Sequence, residues 1–144
     1  MEQYFELRHL VGFEETNLVG NVYYVNHLRW QGRCREMFLR DHAPSVLDDM
    51  ARGLALVTTH CSCEYFEELA AFEDIVIRLT LSDVGPSRLK MNFEYWRGPT
   101  LVARGTQQVA CLRRENGTLV PAALPAELRE ALQAYASNAL QSVS

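Results

Sequence analysis

A chain of 144 residues has the size of a single domain. With 48% apolar and 22% charged residues, it has a globular balance that excludes a disordered chain. The net charge of −4, with one lysine (Lys90) against thirteen arginines, excludes nucleic acid as the main partner, because phosphate binding is driven by surplus basic side chains.

From Gln3 to Phe13 the residues alternate, with Phe5, Leu7, Val11 and Phe13 on one side. This predicts a strand with one buried face. Glu14 to Gly20 breaks the alternation with Thr, Asn and Gly and reads as a loop. A long helix is expected from about Val22 to Arg40. Leu28, Gly32, Arg35 and Leu39 are spaced four, three and four apart, so they share one stripe, expected to face inward. Gly32 is expected to let the helix lie close on the surface beneath it. Arg35 is the unusual member, since a buried guanidinium is costly unless it meets charge or several acceptors.

A short second helix is expected at 44–52, opened by Pro44 and closed by Gly53. Strands follow at Leu54–Phe66, Asp74–Ser82, Arg88–Trp96 and Thr100–Arg114, with turns at Asp83–Pro86 and Arg97–Pro99. Asn116-Gly117 carries the signal of a type I′ turn. Leu124, Leu128, Leu132 and Tyr135 mark a C-terminal amphipathic helix. One strand, one long helix and an antiparallel meander predict a two-layer α+β domain over residues 1–144, with a sheet of about five strands packed around the helix. Its open sheet face and edge strand are expected to be hidden by dimerisation.

The N-terminus has neither a basic region nor an apolar one of the secretory type. No stretch approaches the roughly 20 apolar residues of a membrane span. A cytoplasmic protein with reduced thiols and no membrane partner is expected. Cys34 and Cys111 stand alone, and Cys61-Ser62-Cys63 lacks the second pair that a zinc site needs. No metal site is expected. His9, His27, His42 and His60 do not cluster by spacing, and His27 reads as a structural hydrogen-bonding residue. No G-x-S-x-G, G-x-x-x-x-G-K-[ST] or G-x-G-x-x-G motif occurs.

The segment Phe13–Trp30, FEETNLVGNVYYVNHLRW, resembles the opening signature of hot-dog-fold acyl thioesterases of the 4-hydroxybenzoyl-CoA thioesterase type. In that family a loop reading D-x-D-x-x-G-x-V precedes an aromatic residue, an asparagine and a long helix. Gly20, Val22, Tyr23, Tyr24, Asn26 and Trp30 stand at the matching positions. The element order matches along essentially the whole chain, to the closing LPAELREA helix, although only the loop-to-helix segment is specific. The resemblance implies a hot-dog fold and thioester hydrolysis without a cofactor.

Asn17 stands where the family carries its catalytic aspartate. An amide is neither a nucleophile nor a strong base at neutral pH. Two readings remain: a site that only binds acyl groups, or one in which water attacks while donors stabilise the transition state. Asn17 and Arg35, eighteen residues apart, resemble the pairing in the thioesterases of enediyne polyketide biosynthesis, and Cys61–Leu69 (CSCEYFEEL) matches that branch too. The alternative for Arg35 is a structural ion pair with Glu64 or another strand carboxylate.

That branch implies a polyene β-ketoacyl substrate on a carrier domain of a polyketide synthase, released as a β-keto acid that can lose CO₂ to give a methyl ketone. It implies catalytic roles for Asn17 and Arg35 and assembly as a homodimer or homotetramer, while the free backbone N–H of Tyr24 at the helix N-terminus is expected to aim the positive helix end at the thioester oxygen and Gly20 to bind substrate. Parity and position suggest an acyl tunnel lined by Tyr23, Val25, Leu28, Cys61, Cys63 and Tyr65. Two readings compete. A general acyl-CoA thioesterase would use Arg88, Arg113 and Arg114 for phosphates. A non-catalytic acyl-binding module would have no use for an inward Arg35.

Overall fold

In the computed structural model, which describes residues 3–137, the first strand β1 covers Phe5–Leu10 and ends sooner than the alternation predicts. Val11 is fully buried, but Phe13 falls in a 3₁₀ turn and is 72% exposed. The long helix α1 (Val25–His42) and short α2 (Pro44–Met50) come next. Strands β2 (Leu54–Tyr65), β3 (Asp74–Gly85), β4 (Arg88–Arg97), β5 (Thr100–Glu115) and β6 (Thr118–Pro121) follow, then helix α3 (Ala126–Ala134).

All strand pairs are antiparallel, in the order β1-β3-β4-β5-β2, with β6 added to β5. In β4 the alternation buries Leu89, Met91, Phe93 and Tyr95 completely. Asn116 and Gly117 have φ of 51° and 79°, as the type I′ turn requires, and that turn leads into a sixth strand. The β3–β4 hairpin is longer than expected: β3 runs on to Gly85 through a register shift after Asp83.

Helix α1 lies across the sheet on a stripe rotated from the expected one. Its buried residues are Asn26, His27, Trp30, Gln31, Cys34, Phe38 and Leu39, whereas Leu28, Gly32 and Arg35 are half-buried on the flank. The reason is hydrophobic: Trp30, Cys34 and Phe38 lie four apart and bury more apolar surface than the Leu28–Gly32 ridge, each large side chain contributing about 1.5–3 kcal/mol. A Cβ on Gly32 would meet nothing within 4 Å, so that glycine does not bring the helix down. Gly105 does. A Cβ there would collide with Gln31 Nε2 and the Ser62 carbonyl. Tyr95 Oη donates to the His27 carbonyl at 2.7 Å, and Phe38 packs edge-on to Phe5 and Tyr135.

β2 pairs with β5 alone, and from Val57 to Phe66 its residues are exposed apart from the half-buried Cys63. Its outer edge is therefore open among the described residues. No helix among them is long and apolar enough to cross a membrane.

Candidate active site

The loop that precedes α1 is closed by its own backbone: Asn17 N donates to Asn21 O at 2.7 Å and Gly20 N to Asn17 O at 3.0 Å. Gly20 holds φ at +89°, a left-handed conformation that glycine adopts without steric cost. The side-chain oxygen of Asn17 accepts the amides of Val19 and Asn21 at 3.0 and 3.3 Å. Two backbone donors fix the orientation of the amide group. Its Nδ2 is thus a free donor among the described residues.

Glu15 ties this loop to the helix. Its carboxylate accepts from Gly12 N at 2.9 Å and Trp30 Nε1 at 2.6 Å and pairs with His9 Nε2 at 2.8 Å. Its backbone carbonyl accepts from Tyr23 N and Asn26 Nδ2. Burial works to raise the Glu15 pKa, but the donors Gly12, His9 and Trp30 outweigh it and hold the carboxyl below its ordinary value. Glu15 occupies the first acidic position of the D-x-D-x-x-G-x-V pattern, a signal the sequence reading passed over.

The first turn of α1 has no side-chain cap. Tyr23 N is taken by Glu15 O and Asn26 N by Tyr23 O, but the amides of Tyr24 and Val25 meet no acceptor among the described residues. Free donors at a helix start carry the positive end of the helix dipole. Of the two, Tyr24 borders a cavity of about 580 Å³ that is also lined by Asn17, Val22, His27, Tyr65 and Phe66, with Glu67 and Glu68 on its lining as well.

Of the expected site residues, this cavity brings together Asn17, Tyr24 and Tyr65, whose hydroxyl donates to Tyr24 O at 2.9 Å. Gly20, Tyr23, Val25, Leu28, Cys61 and Cys63 do not border it. Tyr23 is 48% exposed and rests on the Tyr24 ring. Val25 and Leu28 are turned off the cavity because the buried stripe runs through His27 and Gln31. Cys61 is exposed because nothing covers the middle of the edge strand, and burial pushes the half-buried Cys63 thiol up to about 11. The expected tunnel is not assembled within one chain.

His27 corrects its sequence reading as a structural hydrogen-bonding residue. It is 4% exposed, and neither ring nitrogen has a partner among the described residues.

Arg35 is also not where a single-chain site needs it. It donates to Thr58 Oγ1 at 2.7 Å, Leu56 O at 3.1 Å and Gln107 Oε1 at 3.4 Å, all neutral acceptors. The ion-pair alternative fails: no carboxylate pairs with Arg35 among the described residues, and Glu64 pairs with Arg104 at 3.2 Å. Burial lowers the Arg35 pKa, opposed by neighbouring Glu36, and a guanidinium in this setting remains charged. Arg35 borders a separate cavity of about 630 Å³ with Gly32, Met37, Met50, Thr58 and Gln107. Of the alternative phosphate ligands, Arg113 is paired with Asp49 at 2.9 Å and Arg114 donates to the Gly117 carbonyl.

Residues 11–132 match the model of the Thioesterase-like superfamily. The chain belongs to that family. It is similar to the dynemicin thioesterase, known from crystal structures that describe polyene binding, with 49% identity, a TM-score of 0.88, and 92% of this chain and 97% of that one covered. A 1,4-dihydroxy-2-naphthoyl-CoA hydrolase of Prochlorococcus marinus (strain MIT 9211) is 26% identical over 110 residues, 71% of this chain and 73% of that protein. The 1,4-dihydroxy-2-naphthoyl-CoA thioesterase Slr0204 of Synechocystis shares the fold, with a TM-score of 0.80 at 20% identity over 91% of this chain and 96% of that one. The protein is a thioester hydrolase with the expected hot-dog architecture.

Proposed function

We propose that this thioesterase hydrolyses a polyene β-ketoacyl thioester held on the phosphopantetheine arm of an acyl carrier domain. The observation that carries the reading is the neutral donor set at the Asn17 cavity: the free Asn17 Nδ2 and the unpaired amide of Tyr24. The likeness to the dynemicin thioesterase supports the polyene. Water attacks the thioester carbon, and the carbonyl oxygen becomes an oxyanion that these donors stabilise. The C–S bond then breaks, a proton lost by the attacking water passes to the sulfur, which leaves as a thiol, and the acid is released. A β-keto acid can then lose CO₂ to leave a methyl ketone. Acyl-loaded carrier domain mixed with the enzyme is expected to yield free β-keto acid or methyl ketone by mass spectrometry. An unchanged acyl-carrier mass overturns the substrate.

Arg35 joins this site from a second copy of the chain. From Tyr24 to Arg35 the helix advances about 16 Å at 1.5 Å per residue, too far for both to reach one carbonyl. The open edge of β2 supplies the means. If two β2 strands pair antiparallel about Cys61, Thr58 falls opposite Glu64 and Leu56 opposite Phe66. Arg35, bonded to Leu56 and Thr58, then stands across from Tyr65 and Phe66, which line the Asn17 cavity of the other copy. Such pairing also covers the exposed edge. Light scattering is expected to give a dimer or tetramer at micromolar concentration. A 16.4 kDa species would overturn the shared site.

A further inference from the structure

His27 has two buried ring nitrogens without the hydrogen bonds that burial normally requires. A leucine or phenylalanine would fill the same space without that penalty. The ring is packed by Trp30 at 5.0 Å, the edge of Tyr65 at 4.7 Å and Tyr95 at 5.5 Å, and it borders the same cavity as Asn17 and Tyr24. Burial lowers its pKa to about 4, with the nearby Tyr24 backbone only partly opposing it. At neutral pH the imidazole is therefore uncharged, with one nitrogen donating and the other accepting.

We propose that His27 is a substrate-positioning residue that hydrogen-bonds the β-oxygen of a 3-oxoacyl thioester. The inference rests on the hydrolase reading above and names the feature by which the site selects its substrate. Tyr24 precedes His27 by about 4.5 Å along the helix axis, and helical side chains lean toward the N-terminus. The imidazole and the free Tyr24 amide thus belong to residues that border one cavity with Asn17, and a 1,3-dicarbonyl can present one oxygen to each. One oxygen goes to the amide and the other to the ring. An enol serves as well as a ketone, because the ring offers both a donor and an acceptor. A saturated acyl chain leaves the ring unpaired, and sites built to bond a polar atom reject analogues that lack it. In the chain without ligand the Tyr65 ring covers the imidazole, held by its bond to Tyr24 O. Tyr65 lies on the open edge strand, so an entering acyl chain displaces it at the cost of that bond.

The test compares a 3-oxoacyl and a saturated acyl pantetheine thioester of equal length on the whole enzyme. Wild type is expected to favour the 3-oxoacyl substrate, and His27→Phe to lose at least tenfold in kcat/KM on it, mainly through KM. The saturated substrate is expected to change by less than about twofold, and His27→Gln to recover part of the lost preference. A parallel fall on both substrates, or no change on either, overturns the role. The second measurement needs no variant. With 15N-histidine label, the His27 ring signals are expected to shift when a non-hydrolysable 3-oxoacyl pantetheine amide binds, and not with the saturated amide. Unmoved signals at saturation overturn the proposal. If wild type cleaves neither thioester, the acyl-loaded carrier domain decides the substrate reading above, and the ring signals alone decide for or against His27.

Discussion

Arg35→Ala is expected to lower kcat by about 10²–10³, the usual cost of removing one donor from an oxyanion site, while the fold survives. Its partners, the Leu56 carbonyl, Thr58 and Gln107, are neutral, and Thr58 and Gln107 border an open cavity. Removing the guanidinium strands no carboxylate. The stability loss is expected to stay within about 1–3 kcal/mol, the cost of unmade hydrogen bonds, below the roughly 3–5 kcal/mol of a broken buried ion pair. Arg35→Lys keeps the charge but not the fork that spans Leu56 O and Thr58 Oγ1, so it is expected to fold like the parent and recover only part of the rate. Turnover and the denaturation midpoint are measured on the same protein. A folded Arg35→Ala enzyme at the parent rate removes Arg35 from the chemistry.

The features legible in the sequence are those set by local pattern. The clean alternation of Arg88–Trp96 needs only one buried face, and Asn116-Gly117 needs only two residues with positive φ; both are as expected. The rotation of α1 was not legible. Leu28, Gly32 and Arg35 form as regular a ridge as Trp30, Cys34 and Phe38, and only the aromatic sheet surface, with Gly105 making room for Gln31, decides between them. That rotation moved Val25 and Leu28 out of the site and put His27 into it. Glu15 escaped notice for another reason: its work is done by five bonds accepted from residues 9, 12, 23, 26 and 30, a convergence that exists only once the loop has folded back on the helix. Asn17 and Tyr24 were readable because the loop and helix start are contiguous in the chain. The separation of Arg35 from them follows from helix length, and the proposed remedy, a second copy of the chain, is not written in any local pattern.

Asn17→Ala is expected to lose a similar factor of about 10²–10³ in kcat, with a second effect that Arg35→Ala lacks. The lost side chain also frees the amides of Val19 and Asn21, so the loop loosens and KM rises. Asn17→Asp separates the two effects. A carboxylate keeps both acceptor bonds, and hence the loop, but removes the donor Nδ2 and sets a negative charge where the oxyanion develops. It is expected to match the wild-type melting temperature while failing on the acyl-carrier substrate. Any activity it gains on aryl or simple acyl-CoA thioesters would come from the carboxylate. Full activity in Asn17→Ala would leave the loop as scaffold. The two variants together then test where each site is made. When Asn17→Ala and Arg35→Ala chains are co-expressed and assort freely, half of the dimers are mixed. If each site takes Asn17 from one chain and Arg35 from the other, every mixed dimer keeps one whole site, and about a quarter of wild-type activity returns. If both residues serve a site within one chain, every site in the mixture is broken and nothing returns.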